Sequence, residues 1–443
     1  MATAADRLAN NLNFGALGKA TELRQRLLFT LGALIVFRLG TFLPIPGINP
    51  IALQQFFEQQ SSGILGIFDT FSGGALGRMG IFALGIMPYI SSSIIVQLLT
   101  GVSEYFKNLK AQGEIGRQKI TQITRYGTVF LAAIQGYGLS VGLESSANLV
   151  INPGTFFKVS TVTSIVAGTI FLMWLGEQIT ARGIGNGISL IIMAGIVANL
   201  PSALGGTLEL GRTGALSTGF IIFLLIMSVA VIYFIVFVER GQRRIIIQYP
   251  KRQRGNKMMG GDNSHLPLKI NTAGVIPPIF ASSILLMPIT VMSFSAGQGP
   301  EWMTTLAAYL GRGQPVYLII YISLVVFFAF FYTAIVFNPE ETADNLKKNG
   351  GFVPGIRPGK NTAEYLDKVL TRLTVVGASY LAIICLLPEL LISEYAVPFY
   401  FGGTSLLIVV TVTMDTVAQI QSHLLAHQYE GLIKKSRLRG RRG

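Results

Sequence analysis

Charged residues are scarce in this chain, and residues that build catalytic or metal centres are scarcer still. Asp, Glu, Lys and Arg make up 13% of the 443 residues, roughly half of the about 25% typical of soluble domains. The single cysteine, Cys385, excludes an internal disulfide framework. Three histidines, His265, His423 and His427, lack the companion ligands of a metal site. The sequence therefore predicts no catalytic residue, no metal site and no cofactor.

Long apolar segments dominate the remainder, since 51% of all residues are hydrophobic. A membrane-spanning helix needs about 20 mostly apolar residues. Segments that approach this length lie at residues 25–43, 79–100, 126–143, 159–180, 188–203, 219–238, 270–294, 316–337, 369–391 and 403–421. The sequence therefore predicts an all-α polytopic membrane protein with about ten transmembrane helices.

Five of these spans precede residue 205 and five follow it, which suggests two pseudo-symmetric halves. An odd number of spans per half gives the halves opposite orientations, so an internal repeat would be inverted. No similarity between the halves is visible residue by residue. The predicted divisions are an N-terminal segment 1–24, a half 25–204, a half 205–421 with loops 239–269 and 338–368, and a basic tail 422–443.

Basic residues alternate with the apolar spans and fall almost entirely on one side of the predicted membrane. The five exceptions among the 35 Lys and Arg residues are Arg38, Arg78, Lys158, Arg212 and Arg312. Basic residues accumulate in short cytoplasmic loops because they resist translocation. Both termini and both long loops are therefore predicted to be cytoplasmic. We therefore interpret the net charge of +14 mainly as a topology signal, and secondarily as a sign that the basic loops dock an acidic partner.

The segment 61–77 is too short and too rich in glycine to be a span. About two apolar helical turns are interrupted by Asp69 and bounded by glycines. Two interpretations remain open at this point. One is a re-entrant or interfacial helix enclosed by protein, and the other is an amphipathic loop on the outer surface.

Two spans carry proline beside a serine-rich edge. Ile86 and Ile90 share one helical face around Pro88, and Pro277 and Pro278 precede a similar pair of serines. Such helices suit a seam that can open, although ordinary packing with kinks also accounts for them. Few ionisable residues lie inside spans: Arg38 can reach the interface, and Asp415 could line a polar path or bond to neighbouring helices.

Seven motifs resemble the SecY family of protein-conducting channels, in order and across residues 22–430. They are GALIVFR at 32–38, FSGGAL at 71–76, ALGIMPYI at 83–90, GIGNGIS at 183–189, VERGQRR at 238–244, FVPGIRPG at 352–359 and PFYFGGTS at 398–405. The resemblance implies an hourglass channel that passes unfolded polypeptide and releases apolar segments sideways into lipid. It also implies a multi-pass protein of the bacterial plasma membrane.

The resemblance assigns roles to particular residues. The ring at the pore waist would be Ile86, Ile90, Ile192, Ile279 and Ile408. The plug would be the 61–77 segment, with Gly63, Ile64, Leu65, Ile67, Phe68, Phe71, Gly73 and Gly74. The lateral gate, between spans two and three and spans seven and eight, would contain Ser91, Ser92, Gln97, Gln135, Ser282 and Ser283. Branched aliphatic side chains suit a waist that closes by dewetting.

Partners also follow from the resemblance. Arg243, Arg244, Arg252, Arg254 and Arg357 would dock the SecA ATPase or the ribosome with its RNA. The small membrane subunits SecE and SecG, anionic lipids, and nascent polypeptide with a signal sequence complete the expected set. The family commonly has basic residues directly after Gly255, whereas this chain has Asn256 and Lys257, so one contact would be weakened or shifted to Arg254.

Two other classes of function were weighed against a passive channel. A secondary transporter would bind one solute at mid-membrane through polar or charged groups, whereas the implied waist is isoleucine. An intramembrane enzyme would need a nucleophile, a base or a metal cluster. The channel itself is thus expected not to be an enzyme, and the energy would come from the partner ATPase or from translation.

Overall fold

The computed structural model describes residues 21–60, 64–145, 149–214, 217–249, 252–254, 257–259, 263–294, 314–395 and 403–440. Its helices are α1 Thr21–Gly40, α2 Pro50–Gln60, α3 Ile64–Ser72, α4 Met87–Val102, α5 Glu104–Ala111, α6 Glu114–Ser145, α7 Thr155–Arg182, α8 Gly187–Arg212, α9 Thr218–Arg240, α10 Ile276–Phe294, α11 Pro315–Val336, α12 Pro339–Lys348, α13 Lys360–Tyr395 and α14 Gly403–Gly440. Each predicted span overlaps one of these helices. Within the described residues, 6 helices are long and apolar enough to cross a membrane. The predicted all-α polytopic fold class is therefore confirmed.

Many apolar side chains of these helices point outwards. Val229, Tyr233 and Phe237 on α9 are 68%, 73% and 68% exposed. They repeat at intervals of four residues, so they share one helical face. Such a face is stable only in an apolar solvent, which lipid provides.

Two spans begin later than the apolar pattern predicts. The second was placed at 79–100, but α4 begins at Met87 because Gly85 has a φ of +56° and Pro88 occupies the first turn of the helix. The seventh was placed at 270–294, but α10 begins at Ile276. Before it, the Gly274 N–H donates a 3.1 Å hydrogen bond to the side chain of Asn271, which forms a turn.

The first long basic loop contains strands that the sequence did not predict. Strand β1, Gln242–Gln248, pairs antiparallel with β4, Asn263–Lys269. Between them, β2, Arg252–Arg254, pairs with β3, Lys257–Met259.

The two long loops form one packed body. Gln248 and Phe352 exchange main-chain hydrogen bonds of 2.9 and 3.0 Å. A small apolar core contains residues from both loops and from the start of α13, namely Ile245, Leu268, Val353, Leu366 and Val369. We call residues 242–269 and 352–369 together the loop unit. Because its halves share a core, it is expected to respond to a partner as one body.

The membrane part has one continuous apolar core. Helix α8 lies near its middle, since it packs against α1, α3, α7, α9 and α14. Helix α10 packs against α4, α6 and α11 and also against the short α3. The core cluster includes all five isoleucines of the predicted ring.

Candidate pore, plug and gate

The five isoleucines come from four separate parts of the chain and all belong to the one buried apolar core. Ile86 directly precedes α4 and accepts the 3.1 Å main-chain hydrogen bond of Ile90, so both lie on one face. The others are supplied by three further helices: Ile192 by α8, Ile279 by α10 and Ile408 by α14. Exposed fractions of the five range from 0% to 8%. A site lined in this way offers a passing chain no hydrogen-bonding side chain from these positions.

The short helix α3 lies against this core, packed on α8, α10 and α2. Its N-terminal neighbour Gly63 is outside the described residues, as are the side chains of Ile64, Leu65, Ile67 and Phe68. The other predicted plug residues, Phe71, Gly73 and Gly74, are buried. The structure therefore favours the enclosed re-entrant helix over the surface loop.

The end of α3 docks on α8 through glycine. Gly73 and Gly74 have φ of +71° and +82°, which turns the chain sharply. A Cβ at Gly195 would lie 3.0 Å from the main-chain oxygen of Phe71. Gly195 follows Ile192 by three residues, so it lies on nearly the same face of α8. The close contact thus places the end of α3 beside the predicted waist.

Side chains from two other helices bond to the main chain of this segment. The Arg38 Nη1 atom on α1 donates a 2.6 Å hydrogen bond to the Gly73 oxygen. The Asn199 Nδ2 atom on α8 donates a 3.4 Å hydrogen bond to the main-chain oxygen of Asp69. We predicted that Arg38 would reach the interface, and its bond to Gly73 was missed. The only sequence signal for the Arg38 bond was that Arg38 is an ionisable residue inside a span. No sequence signal pointed to the bond of Asn199.

The Asp69 side chain stabilises the turn that follows α3. Its Oδ1 atom accepts a 2.7 Å hydrogen bond from the Gly77 N–H. Burial raises the pKa of the Asp69 carboxyl, although the Gly77 hydrogen bond and the Arg78 charge act in the opposite direction. A cavity of about 420 Å³ adjoins Asp69, Arg78 and Asn199. The segment therefore has space beside it.

The predicted gate residues lie on α4, α6 and α10, three helices that pack against one another. Ser91, Ser92, Gln135, Ser282 and Ser283 are buried, and Gln97 is half-buried. The hydroxyls of Ser282 and Ser283 donate to the Ile279 oxygen at 2.9 and 2.8 Å. Ser92 instead bonds within the α4–α6 pair, to the Thr124 oxygen.

Two gate amides are incompletely bonded. Within the part of the chain that is described, the buried Oε1 atoms of Gln97 and Gln135 accept no hydrogen bond. A buried polar group without a partner destabilises the arrangement that buries it, by about 1–3 kcal/mol. Burial of these two oxygen atoms therefore carries a free-energy cost.

A cavity of about 500 Å³, lined by apolar as well as polar and charged side chains, lies at the basic end of the helices. Asp415 lines it, two helical turns after Ile408, and its Oδ1 atom is 3.9 Å from the Lys269 Nζ atom. Of the two roles left open for Asp415, the structure thus favours lining a polar path. Asn271, in the turn before α10, also lines the cavity and donates a 2.7 Å hydrogen bond to Glu239 at the end of α9.

The predicted docking arginines belong to the loop unit or to the strands within it. Arg243 and Arg244 on β1 are exposed, and Arg357 is exposed between two Pro-Gly pairs. Gly355 and Gly359 have φ of +82° and +103°, so these pairs form tight turns. Arg252 and Arg254 lie in β2, but their side chains are outside the described set. The loop unit thus presents described arginines from both long loops.

Comparison with known proteins agrees with this arrangement. The family model described as SecY matches residues 80–417. The chain is 57% identical over 429 residues to the protein translocase subunit SecY of Escherichia coli K12, covering 96% of this chain and 97% of that protein. It is 56% identical over 425 residues to the same subunit of Vibrio cholerae, covering 95% and 96%.

Solved structures share the fold. A protein-conducting channel superposes with a TM-score of 0.62 at 17% identity, over 90% of this chain and 92% of the other. A SecY channel whose plug domain stabilises the closed state and maintains a membrane seal gives 0.59 at 17% identity, over the same 90% and 92%. Sec61 in the canine ribosome-channel complex also gives 0.59, with the same identity and coverage.

Proposed function

The chain belongs to the SecY family, and we propose from this that it is a protein-conducting channel. It passes unfolded polypeptide across the membrane and releases apolar segments sideways into lipid. The observation that supports the proposal is that α3 packs on α8 and α10, two of the helices that supply the predicted ring, and that all five ring isoleucines are buried in one apolar core: Ile86, Ile90, Ile192, Ile279 and Ile408. A narrow aliphatic waist closes against ions by dewetting and offers side chains that bind no particular sequence.

The waist also argues against a small-solute transporter. A transporter binds its substrate near mid-membrane through polar groups or helix ends. Here the polar cavity with Asp415 lies two helical turns from Ile408, a distance of roughly 10 Å along a helix axis. The polar surface is therefore an entrance and the apolar ring is the barrier.

The plug and gate roles follow from the same geometry. Residues 61–77 close the waist at rest, supported by the packing of α3 on α8 and α10. The seam between α10 and the pair α4–α6 opens toward lipid. Its incompletely bonded amides, Gln97 and Gln135, support this role because they lower the cost of separating the helices.

The channel is passive and a partner drives transport. The exposed Arg243, Arg244 and Arg357 support docking of the SecA ATPase or of ribosomal RNA, since arginine binds phosphate and carboxylate through paired hydrogen bonds. Arg252 and Arg254, in strand β2 of the same loop, are included in the proposed docking set. The canine channel's complex with a ribosome supports the ribosome as partner. SecE, SecG and anionic lipids cover the apolar exterior, and the basic side faces the cytoplasm of a bacterial inner membrane.

Site-specific photocrosslinking tests the proposed path. A photoreactive residue replaces Ile408 in one variant and Val229, exposed on α9, in a matched control. Membranes are supplied with a secretory chain stalled during transport. We expect the stalled chain to crosslink at 408 and not at 229. Equal labelling at both positions, or none at 408 during active export, would contradict a path through the waist.

A further inference from the structure

Arg38 makes an unusual bond for a cation inside a span. Its guanidinium donates to a main-chain oxygen of the plug segment, that of Gly73, rather than to a carboxylate. Among the described residues, no carboxylate lies within salt-bridge distance of it. The bond is short and charge-assisted, a class about twice as strong as neutral hydrogen bonds.

The aromatic ring of Phe42 fixes the guanidinium. The Arg38 Cζ atom lies 4.9 Å from the centre of this ring, and the Arg78 Cζ atom lies 4.3 Å from it. Each cation is attracted by the ring, and the two cations repel each other. The Gly73 oxygen therefore completes the set of contacts that stabilises Arg38 in this position.

The bond lies beside the waist. Gly73 is in close contact with Gly195 on α8, and Gly195 is one turn from Ile192. Asn199, one turn further along α8, donates to the Asp69 oxygen. The cavity of about 420 Å³ next to Asp69 leaves space into which the segment can move once these bonds break.

We propose that Arg38 is a positioning residue for the plug: its hydrogen bond to Gly73 holds the end of α3 on α8 and sets how readily the waist opens. This inference rests on the proposed channel function and adds the element that regulates it. Breaking the bond is part of opening. A hydrogen bond to a charged group changes an equilibrium constant by roughly 10- to 100-fold. Loss of this bond should therefore raise the ratio of open to closed channels at rest by about the same factor.

The test compares Arg38→Met with Arg38→Lys, in the full channel complex in planar bilayers. Methionine keeps an unbranched chain without donor or charge, whereas lysine keeps both. We expect resting ion conductance to rise at least about tenfold for methionine and less for lysine. Conductance with a trapped secretory chain should equal that of the original protein in both variants, which shows an intact pore. Arg212→Met is the matched control, because Arg212 is exposed and pairs with Glu209 of its own helix.

A double-mutant cycle separates positioning from general destabilisation. Gly73→Ala strains the turn at φ of +71° and should raise resting conductance by itself. Combined with Arg38→Met, its effect should be clearly smaller than the product of the two single effects, because both act on one docked segment. Resting conductance of Arg38→Met equal to that of the original, or a full product in the double variant, overturns the proposal.

Two further outcomes are informative. If Arg38→Met does not accumulate in membranes, Arg38→Gln, which keeps a polar side chain but loses the charge that strengthens the bond, takes its place, and a resting conductance unchanged from the original refutes the positioning role. A trapped chain that induces no conductance in the original protein would contradict the channel function itself. The two failures are therefore distinguishable.

Discussion

The hydroxyl of Ser92 donates a 2.8 Å hydrogen bond to the main-chain oxygen of Thr124. This bond joins α4 to α6, and Gly127 permits the approach because any larger side chain there would collide with Ser92. The pair α4–α6 is thereby tied together on one side of the proposed gate. The contacts that can separate during lateral release are those of α10 with this pair.

The incompletely bonded gate amides should keep this seam easy to open. Changing Gln97 and Gln135 to leucine removes two buried acceptors without partners among the described residues. We expect the closed seam to gain about 1 kcal/mol or more per site. Membrane insertion of weakly apolar signal sequences should fall several-fold, measured by processing in vesicles. The control Gln122→Leu, at an exposed position of α6, should leave membrane insertion unchanged. If insertion fell by a similar factor in this control, the effect would be a general one of surface hydrophobicity.

The aliphatic waist should be the barrier to ions. Replacing Ile86, Ile90, Ile192, Ile279 and Ile408 together by serine should raise resting conductance about tenfold or more, because a polar constriction stays wetted. Single-channel recording measures the change. Ile408→Val keeps a branched aliphatic side chain and serves as the control. Unchanged leak in the fivefold variant would place the barrier elsewhere.

The loop unit should bind the motor through Arg357. Arg357→Glu should reduce ATP-driven export of a secretory protein by about tenfold or more, since facing like charges cost several kcal/mol. Because Arg357 is exposed, the free energy of unfolding should change by no more than about 0.5 kcal/mol. Arg24→Glu, also exposed on the basic side, is the matched control. Export at the original rate with purified motor would exclude this docking role.

Closure of the plug should depend on pH through Asp69. Burial raises its pKa above the ordinary 3.8, so the closed segment binds the proton more tightly than an exposed one. The stability of the closed state is therefore greatest at acidic pH and falls as pH rises from the ordinary value through the raised one. Resting conductance should therefore increase as the pH is raised above the ordinary pKa of the carboxyl, measured as a titration from acidic to neutral pH.

Asp69→Asn should remove this dependence. The asparagine oxygen can still accept from Gly77, but it carries no charge, so resting conductance should stay low throughout. Asp344→Asn, on an exposed position of α12, should behave like the original protein. A pH profile that survives Asp69→Asn would show that another group titrates.

The spans could be predicted from the sequence because a helix that crosses lipid needs a long run of apolar residues. A run such as 219–238 can only be buried in the membrane, so α9 was located to within two residues at either end. The start of α4 was missed because Gly85 and Pro88 decide it locally within an apolar stretch. The β1–β4 pair was missed because Ile245 to Ile247 are consecutive and Pro267 lies inside β4, a pattern that indicates no strand.

The roles assigned to single residues depended on the resemblance. Composition could not distinguish Ile192 from other core isoleucines, and the structure adds that it lies one turn from Gly195 and the docked α3. Arg38 and Gly73 are 35 positions apart and Asn199 and Asp69 are 130 apart. Local periodicity carries no information on such pairs, because they form only when distant helices pack. The assigned pore, gate and docking roles stay predictions.

The loop unit has a consequence for the transmission of force. Strand β4 ends at Lys269 and α10 begins at Ile276, so a short turn is all that separates them, and Asn271 in that turn is bonded to Glu239. A partner that tilted this body would pull directly on the first turn of α10, the helix of the proposed gate. Because Ile279 of the proposed ring lies in that turn, mechanical work done at the surface would reach the proposed seam and the ring through the same helix.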